Sequence, residues 1–188
     1  MPESLAGQMY DQAAHFASAS GNFEVQRTNH FEVVIDLDRL KLEEVDSATA
    51  SEHIRLSVKD ISSPGISAEP INLKHGNDTV KVAAAPQFDD LDITLYDTIG
   101  RDQINLLQAW FNKVFDRRNK LMGMVSSYKT SGTLYMYSPD CSVIRAWDLQ
   151  GIWPKTIKMA GNFSFDSAEA MTITLSLSVD RYFERRVK

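Results

Sequence analysis

The stretch from Met171 to Val179 constrains the fold more than any other part of the chain. Its odd-numbered positions are apolar, and they alternate strictly with threonine and serine at the even-numbered positions. A period of two is that of a β-strand, whose successive side chains point to opposite faces of the sheet. A strand with one apolar face and one face of small hydroxyl groups is typical of antiparallel sheet. We therefore expect the chain to be built on an antiparallel sheet.

The same period recurs upstream. Residues 66–74 contain Pro70 and are predicted to be an edge or extended segment, because proline cannot donate to a strand ladder. Residues 75–78 (His-Gly-Asn-Asp) have the composition of a hairpin turn and precede a further strand. Other alternating or turn-bounded runs predict strands at 31–37, 53–61, 88–97, 134–137 and 143–149.

One helix is predicted, from Asp102 to Lys120. Apolar residues recur along it at helical spacing, and Asp102 can cap its first turn. The basic residues Arg117, Arg118 and Lys120 would complement the dipole of its last turn. Trp110 is expected in the core between this helix and the sheet.

The dipeptide Trp153-Pro154 follows a predicted strand that ends at Gly151. Proline fixes its own φ and removes a ladder donor, so we expect the chain to leave the sheet there. Trp153 would then be either a core aromatic or an anchor for a neighbouring subunit.

These elements predict a mainly β fold: an antiparallel β-barrel or sandwich of about seven strands, flanked by one amphipathic α-helix at 102–120. Residues 29–188 would form this domain, with an acidic loop insertion at 38–52 and a charged tail from Arg181 to Lys188. Residues 1–28 are predicted to be an N-terminal arm or a short helix.

Composition limits the possible functions. The 188 residues include 20 lysines and arginines against 25 aspartates and glutamates, a net charge of −5. This balance argues against a protein that grips nucleic acid by its phosphates. The single cysteine, Cys141, excludes an internal disulfide, and no apolar run is long enough for a membrane-spanning helix. The N-terminus lacks the pattern of a secretory signal, so synthesis in the cytoplasm is expected.

Catalytic and ligand-binding patterns are weak. Asp89, Asp90 and Asp92 are the densest carboxylates, and an acid–base pair could be built from them, but a solvated strand face explains them more simply. The four histidines have no metal-ligand spacing, and the nine glycines form no phosphate-binding loop. We therefore predict no enzyme activity, no catalytic or metal site and no cofactor.

Two stretches carry a resemblance to a known family. The strand Phe88-Asp89-Asp90-Leu91-Asp92-Ile93-Thr94-Leu95-Tyr96-Asp97 precedes the Trp-bearing helix, and Leu149-Gln150-Gly151-Ile152-Trp153-Pro154 precedes the terminal alternating strand. In this order they resemble the tail tube proteins of contractile-tailed bacteriophages. The resemblance covers about residues 29–184 in order of elements. The inner tubes of type VI secretion and of phage-tail-like bacteriocins are related to this family.

The resemblance implies a β-barrel with a flanking helix that forms hexameric rings, stacked into a hollow conduit for DNA ejection inside a contractile sheath. The implied partners are other copies of the chain and the sheath, baseplate and tail-terminator proteins. Tape-measure protein and DNA would pass through the lumen without specific binding, no membrane is involved, and the location would be the virion tail. Two alternatives remain: a baseplate tube-initiator ring of the same fold, and a monomeric ligand-binding β-barrel.

A tube subunit needs surfaces for its neighbours. Exposed strand edges and extended segments are the natural choice, because unpaired backbone groups favour pairing with another chain. The candidate interface residues are Leu40, Leu42, Glu43, Glu44, Pro64, Ile66, Pro70, Ile71, Trp153 and Pro154.

Overall fold

A computed structural model describes residues 26–42, 47–99, 103–160, 165–166 and 169–186. The arm or short helix predicted over 1–28 lies outside these ranges except for its last three residues. Within them, the Gln26 side-chain amide donates to the Tyr137 carbonyl oxygen at 2.7 Å.

The helices are α1 (Ser47–Ser57), α2 (Gln103–Val114) and α3 (Val125–Tyr128), with a short 3-10 helix at Asp38–Leu40. The strands are β1 (Phe31–Ile35), β2 (Val58–Ile61), β3 (Ile66–Ser67), β4 (Pro70–His75), β5 (Asp78–Ala83), β6 (Gln87–Phe88), β7 (Leu91–Tyr96), β8 (Phe115–Asp116), β9 (Leu121–Met122), β10 (Thr130–Tyr137), β11 (Val143–Ala160), β12 (Thr172–Ser178) and β13 (Arg181–Arg186).

Seven strands form the main antiparallel sheet, in the order β1-β10-β11-β12-β7-β2, with β13 also paired to β11. The strand predicted from the strict alternation is confirmed as β12. Its residues Ile173, Leu175 and Leu177 are fully buried, and the intervening hydroxyl residues are half-buried. The strand predicted at 88–97 corresponds to β7, which lies between β12 and the terminal strand β2. The predicted mainly β fold of about seven antiparallel strands with a flanking helix is confirmed.

The expected exit from the sheet at Trp153-Pro154 is wrong. Strand β11 continues through Pro154, whose side chain is buried, and ends at Ala160. It changes partners instead, because β13 pairs with its residues 145–150 and β12 with its residues 153–160. Gly151 has a φ of +67° at this change, and a register shift follows Pro154, where a ladder donor is missing.

The loop predicted at 38–52 contains helical segments, and the strand predicted at 53–61 is confirmed only over residues 58–61. A 3-10 helix occupies Asp38–Leu40, helix α1 occupies Ser47–Ser57, and β2 begins only at Val58. Ala50 and Ile54 are fully buried at helical spacing, whereas Leu56 is 60% exposed. The apolar alternation of Ile54, Leu56 and Val58 is therefore incidental.

The predicted helix at 102–120 is confirmed in position but is too long at its C-terminus. Helix α2 ends at Val114, and Phe115 and Asp116 enter the hairpin β8–β9. The hairpin turn consequently contains Arg117, Arg118 and Lys120. Asp102, predicted to cap the first turn of the helix, lies outside the described residues. Trp110 is buried as predicted, and its Nε1 donates to the Tyr128 carbonyl oxygen at 2.8 Å.

The C-terminal segment predicted as a charged tail contains strand β13. Tyr182 from β13 packs against the core, with its ring 5.1 Å from that of Phe88. The core lies between the sheet and the helices, since α1 packs on β1 and β7 and α2 packs on β11.

Candidate functional site

The two terminal strands of the sheet face each other across a cleft. Strands β1 and β2 both line this cleft, which has a volume of about 890 Å³ and also contacts Trp147, but they are not paired with each other. Within the described part of the chain, each therefore has one edge without a partner strand. Such edges present a row of backbone donors and acceptors that can pair with another chain.

A polar cluster lines this cleft. Glu32 on β1 accepts a hydrogen bond from the Tyr137 hydroxyl and forms an ion pair with Arg55 on α1. The hydrogen bond to the Glu32 carboxylate raises the pKa of Tyr137 to about 12, and burial contributes to this shift. The cluster therefore connects α1 to β1 and β10 in the lining of the cleft.

The hairpin β4–β5 forms a separate two-stranded sheet outside the main sheet. The register pairs Ile71 with Val82 and Leu73 with Val80, so these four apolar side chains share one face. They are 40% to 53% exposed. An exposed apolar face of this kind marks an interaction surface.

The face of strands β11, β12, β7 and β2 that carries the hydroxyl residues of β12 is mainly polar, and it also carries Tyr96 and Trp153, which pair with Thr172 and Ser178. Cross-strand neighbours form one row of Lys158, Thr174, Thr94 and Asp60. A second row contains Thr156, Ser176 and Asp92. The hydroxyl side chains of β12 are half-buried, and the charged members of the two rows, Lys158, Asp60 and Asp92, are exposed.

The candidate interface residues lie in different environments. Leu40, Leu42 and Pro154 are buried within the chain's own fold. Pro64 and Trp153 are half-buried, and Trp153 contacts the Tyr128 ring edge-on with their centroids 5.9 Å apart. The exposed residues are Ile66, Pro70 and Ile71, on β3 and β4, whereas Glu43 and Glu44 lie outside the described residues.

Sequence reasoning missed most of the exposed apolar side chains. Leu73, Val80 and Val82 complete the apolar face of the hairpin, and Leu121 and Met122 belong to a second exposed patch. The hairpin face could have been found from the sequence, because apolar residues alternate on both sides of the predicted turn at 75–78. The second patch carries no periodic signal.

The carboxylates considered for acid–base chemistry do not converge. Asp90 forms an ion pair with Lys155 at 2.6 Å, which raises the pKa of Lys155, and Asp92 is exposed on the polar sheet face. The pKa of Asp140 is lowered by hydrogen bonds from Ser142 within a tight turn, next to the exposed Cys141.

The described residues contain no group of three or more histidine, cysteine or acidic side chains that could hold a metal ion. None of the described helices has the length and apolarity needed to cross a bilayer.

Several solved structures share this fold at low sequence identity. The tube-terminating cap of the anti-feeding prophage is 16% identical, with a TM-score of 0.64 over 91% of this chain and 97% of that chain. The sheath–tube complex of the extracellular contractile injection system PVC, in its extended state, contains a chain that is 13% identical. Its TM-score is 0.63 over 93% of this chain and 97% of that chain. The PVC sheath/tube terminator structure contains a chain that is 14% identical, with a TM-score of 0.64 over 88% of this chain and 99% of that chain.

A search of curated protein sequences finds no significant match. The model of the family described as "T4-like virus tail tube protein gp19" matches residues 27–182, which include every strand of the main sheet except most of β13, and also the hairpin β4–β5 and helix α2. The chain therefore belongs to the tail tube protein family of T4-like viruses.

Proposed function

We propose that this chain is the structural subunit of a phage tail tube, in which hexameric rings stack into a hollow conduit for DNA inside a contractile sheath. The role is structural and involves no catalysis. The observation that carries the proposal is the hairpin β4–β5, which holds an ordered apolar face outside the core of its own subunit. Such a face favours burial against a neighbouring subunit.

The hairpin is suited to contacts between successive rings. Ile71, one of the candidate interface residues, lies on the apolar face, whereas Pro70 begins the opposite face and Ile66 lies just before the hairpin on β3. The opposite face of the hairpin carries Asn72, Lys74 and Lys81, which would stay toward solvent. An amphipathic hairpin can thus bury one face against a neighbour without burying charge.

Strand edges are suited to contacts within a ring. The free edges of β1 and β2 lie at the two ends of the main sheet, on either side of the cleft. A ring uses a heterologous interface, in which one surface of each subunit contacts a different surface of the next. Pairing through these edges would satisfy their backbone groups and extend the sheet around the ring.

The polar face of β11, β12, β7 and β2 is the proposed lumen wall. Hydroxyl groups dominate it, and its charges include both Asp60 and Lys158. Each of six such chains carries a net charge of −5, which disfavours trapping of DNA phosphates. DNA and tape-measure protein would pass this wall without specific binding.

The proposed partners are other copies of this chain and the sheath, baseplate and terminator proteins of the same particle, and the proposed location is the virion tail. The solved relatives support this set, since their structures are of a sheath–tube complex, a sheath/tube terminator and a sixfold-symmetrised baseplate.

A second candidate is a baseplate tube-initiator ring of the same fold. The fold favours neither role: the TM-scores to a chain of the anti-feeding prophage baseplate and to a chain of the PVC sheath–tube complex are both 0.63. The two roles differ in whether ring growth stops after one layer.

Negative-stain microscopy and light scattering of the purified protein over a range of concentrations test the proposal. We expect rings of six subunits that stack into hollow tubes. The double variant Leu73→Ser/Val80→Ser should keep the monomer fold, because both residues are exposed, but should stop stacking. Asn72→Ser/Lys81→Ser, on the opposite face of the same hairpin, is the matched control and should still stack.

Single rings that never stack would identify the initiator ring. A chain that stays monomeric at every concentration, and also after addition of purified baseplates, would overturn both assembly roles. That result would favour the monomeric ligand-binding barrel.

A further inference from the structure

We propose that a second surface, formed by residues 117–125 and named here the basic–apolar surface, binds an acidic segment with apolar side chains from another protein. It lies on the hairpin β8–β9 and the chain that follows it, separate in sequence from the hairpin β4–β5. This proposal goes beyond tube assembly and does not depend on ring formation.

The apolar part of this surface is unusually exposed. Leu121, Met122, Met124 and Val125 are exposed by 65%, 73%, 79% and 57%. They stand almost consecutively in the chain, from β9 to the start of α3, so exposed apolar side chains are concentrated in one short segment. Patches of this kind on an ordered backbone mark binding sites.

The backbone beneath the patch is fixed. The Gly123 N–H donates to the Val114 carbonyl oxygen at 2.9 Å, and a Cβ at Gly123 would lie only 1.8 Å from the Lys113 carbonyl oxygen. The Lys129 N–H donates to the Val125 carbonyl oxygen at 3.1 Å. The patch is therefore presented on a backbone packed against the end of α2, which reduces the entropy lost on binding.

The charged part of this surface is entirely basic. Arg117, Arg118 and Lys120 are exposed, and residues 117–125 contain no acidic side chain. The adjacent Asp116 accepts hydrogen bonds from the backbone N–H groups of 118 and 119 and from the Asn119 side chain. These bonds lower the pKa of Asp116, and they orient its carboxylate into the turn. A local cluster of cations on a chain of net charge −5 is a specific electrostatic feature.

A groove extends the surface beyond Val125. It has a volume of about 750 Å³ and is lined mainly by polar residues, among them Ser126, Thr130 and the exposed Arg39. A peptide that contacts Met122 and Val125 could therefore extend into this groove, where its carboxylates would also meet Arg39.

The chemistry favours a protein partner over nucleic acid or lipid. Residues 117–125 include no aromatic side chain, whereas base stacking and membrane-interface anchoring both rely on aromatics. The two methionines are flexible and polarizable, which suits contact with the varied apolar face of a protein segment. The cations would then pair with carboxylates beside that face and steer the encounter.

The test uses a fluorescein-labelled synthetic peptide that repeats leucine and glutamate at helical spacing, titrated with the full chain and followed by anisotropy. We expect binding that weakens as salt rises, and about tenfold weaker binding for Arg117→Glu/Arg118→Glu and for Met122→Ser/Met124→Ser. The control variant Lys74→Glu/Lys81→Glu, on the hairpin β4–β5, should bind as wild type does. Circular dichroism verifies that each variant is folded.

Equal affinity of the wild type and both surface variants would overturn the proposal. So would stronger binding to anionic lipid vesicles or duplex DNA than to the peptide, because the surface would then recognise lipid or nucleic acid. Ring formation is measured on the same samples, and its failure would count against the tube proposal while leaving this one intact.

Discussion

At the scale of single residues, Gly151 shows how one backbone conformation shapes the sheet. Its φ of +67° lies in the left-handed region, at the point where β11 passes from one partner strand to the next. A Cβ added there would lie 2.1 Å from the Asp180 carboxylate, which is bound to Lys129 at 2.6 Å. Position 151 therefore requires glycine, both because its backbone is left-handed and because a Cβ would clash with Asp180.

We expect Gly151→Ala to lower the free energy of unfolding by more than the roughly 1–2 kcal/mol that a left-handed alanine costs. The additional loss comes from displacement of Asp180 and its ion pair. Gly76→Ala is the matched control, because Gly76 has a φ of +64° with nothing within 4 Å of the added Cβ. Chemical denaturation of both variants measures the difference. Equal losses would show that the close approach to Asp180 has no energetic effect.

Tyr137 gives a prediction about pH. Its pKa is raised to about 12 by the Glu32 carboxylate, so the folded chain holds this proton more tightly than the unfolded chain, where tyrosine titrates near 10. The resulting stability is fully present below about pH 10 and is lost as the pH rises toward 12. The difference in unfolding free energy between wild type and Tyr137→Phe should therefore shrink across this range.

Chemical denaturation at pH values from neutral to about 11.5 measures this difference, and Glu32→Gln serves as the control because it removes the acceptor charge. A difference that stays constant with pH would mean that Glu32 does not hold the Tyr137 proton.

At the scale of elements, sequence patterns identified the strands that have one buried face. β7 and β12 were predicted because burial of one face imposes a period of two on their side chains. Helix α1 was missed because Ile54, Leu56 and Val58 also alternate, and only packing shows that Leu56 points outward. β13 was missed because its own sequence is rich in charge and shows no alternating apolar pattern, so only its pairing with β11 reveals it as a strand.

Helix α2 and helix α3 are joined by Trp110, which is 1% exposed and donates to the Tyr128 carbonyl oxygen. Trp110→Phe should lower the unfolding free energy by about 1–3 kcal/mol, because it removes this donor and leaves a gap in the core. Trp147→Phe, at a half-buried position beside the cleft, should cost less. Thermal or chemical denaturation compares the two, and equal costs would contradict the role given to the Trp110 hydrogen bond.

At the scale of the whole molecule, the family and fold class were predictable from the sequence, but the interface was predictable only in part. Leu40 and Ile66 are equally apolar in the sequence, yet Leu40 is 3% exposed and Ile66 is 59% exposed. Burial depends on which elements pack together, and the segment containing Leu40 was expected to be a loop. Exposed apolar side chains on ordered hairpins are visible only in three dimensions.

The central claim is that this chain builds a tube whose lumen is the hydroxyl-rich face of the main sheet. Cryo-electron microscopy of tubes assembled from the purified chain tests it most directly. We predict sixfold rings with Thr94 and Thr174 facing the lumen and the hairpin β4–β5 buried between rings. A tube wall with these threonines on its outer surface, or with the hairpin free in solvent, would contradict the account.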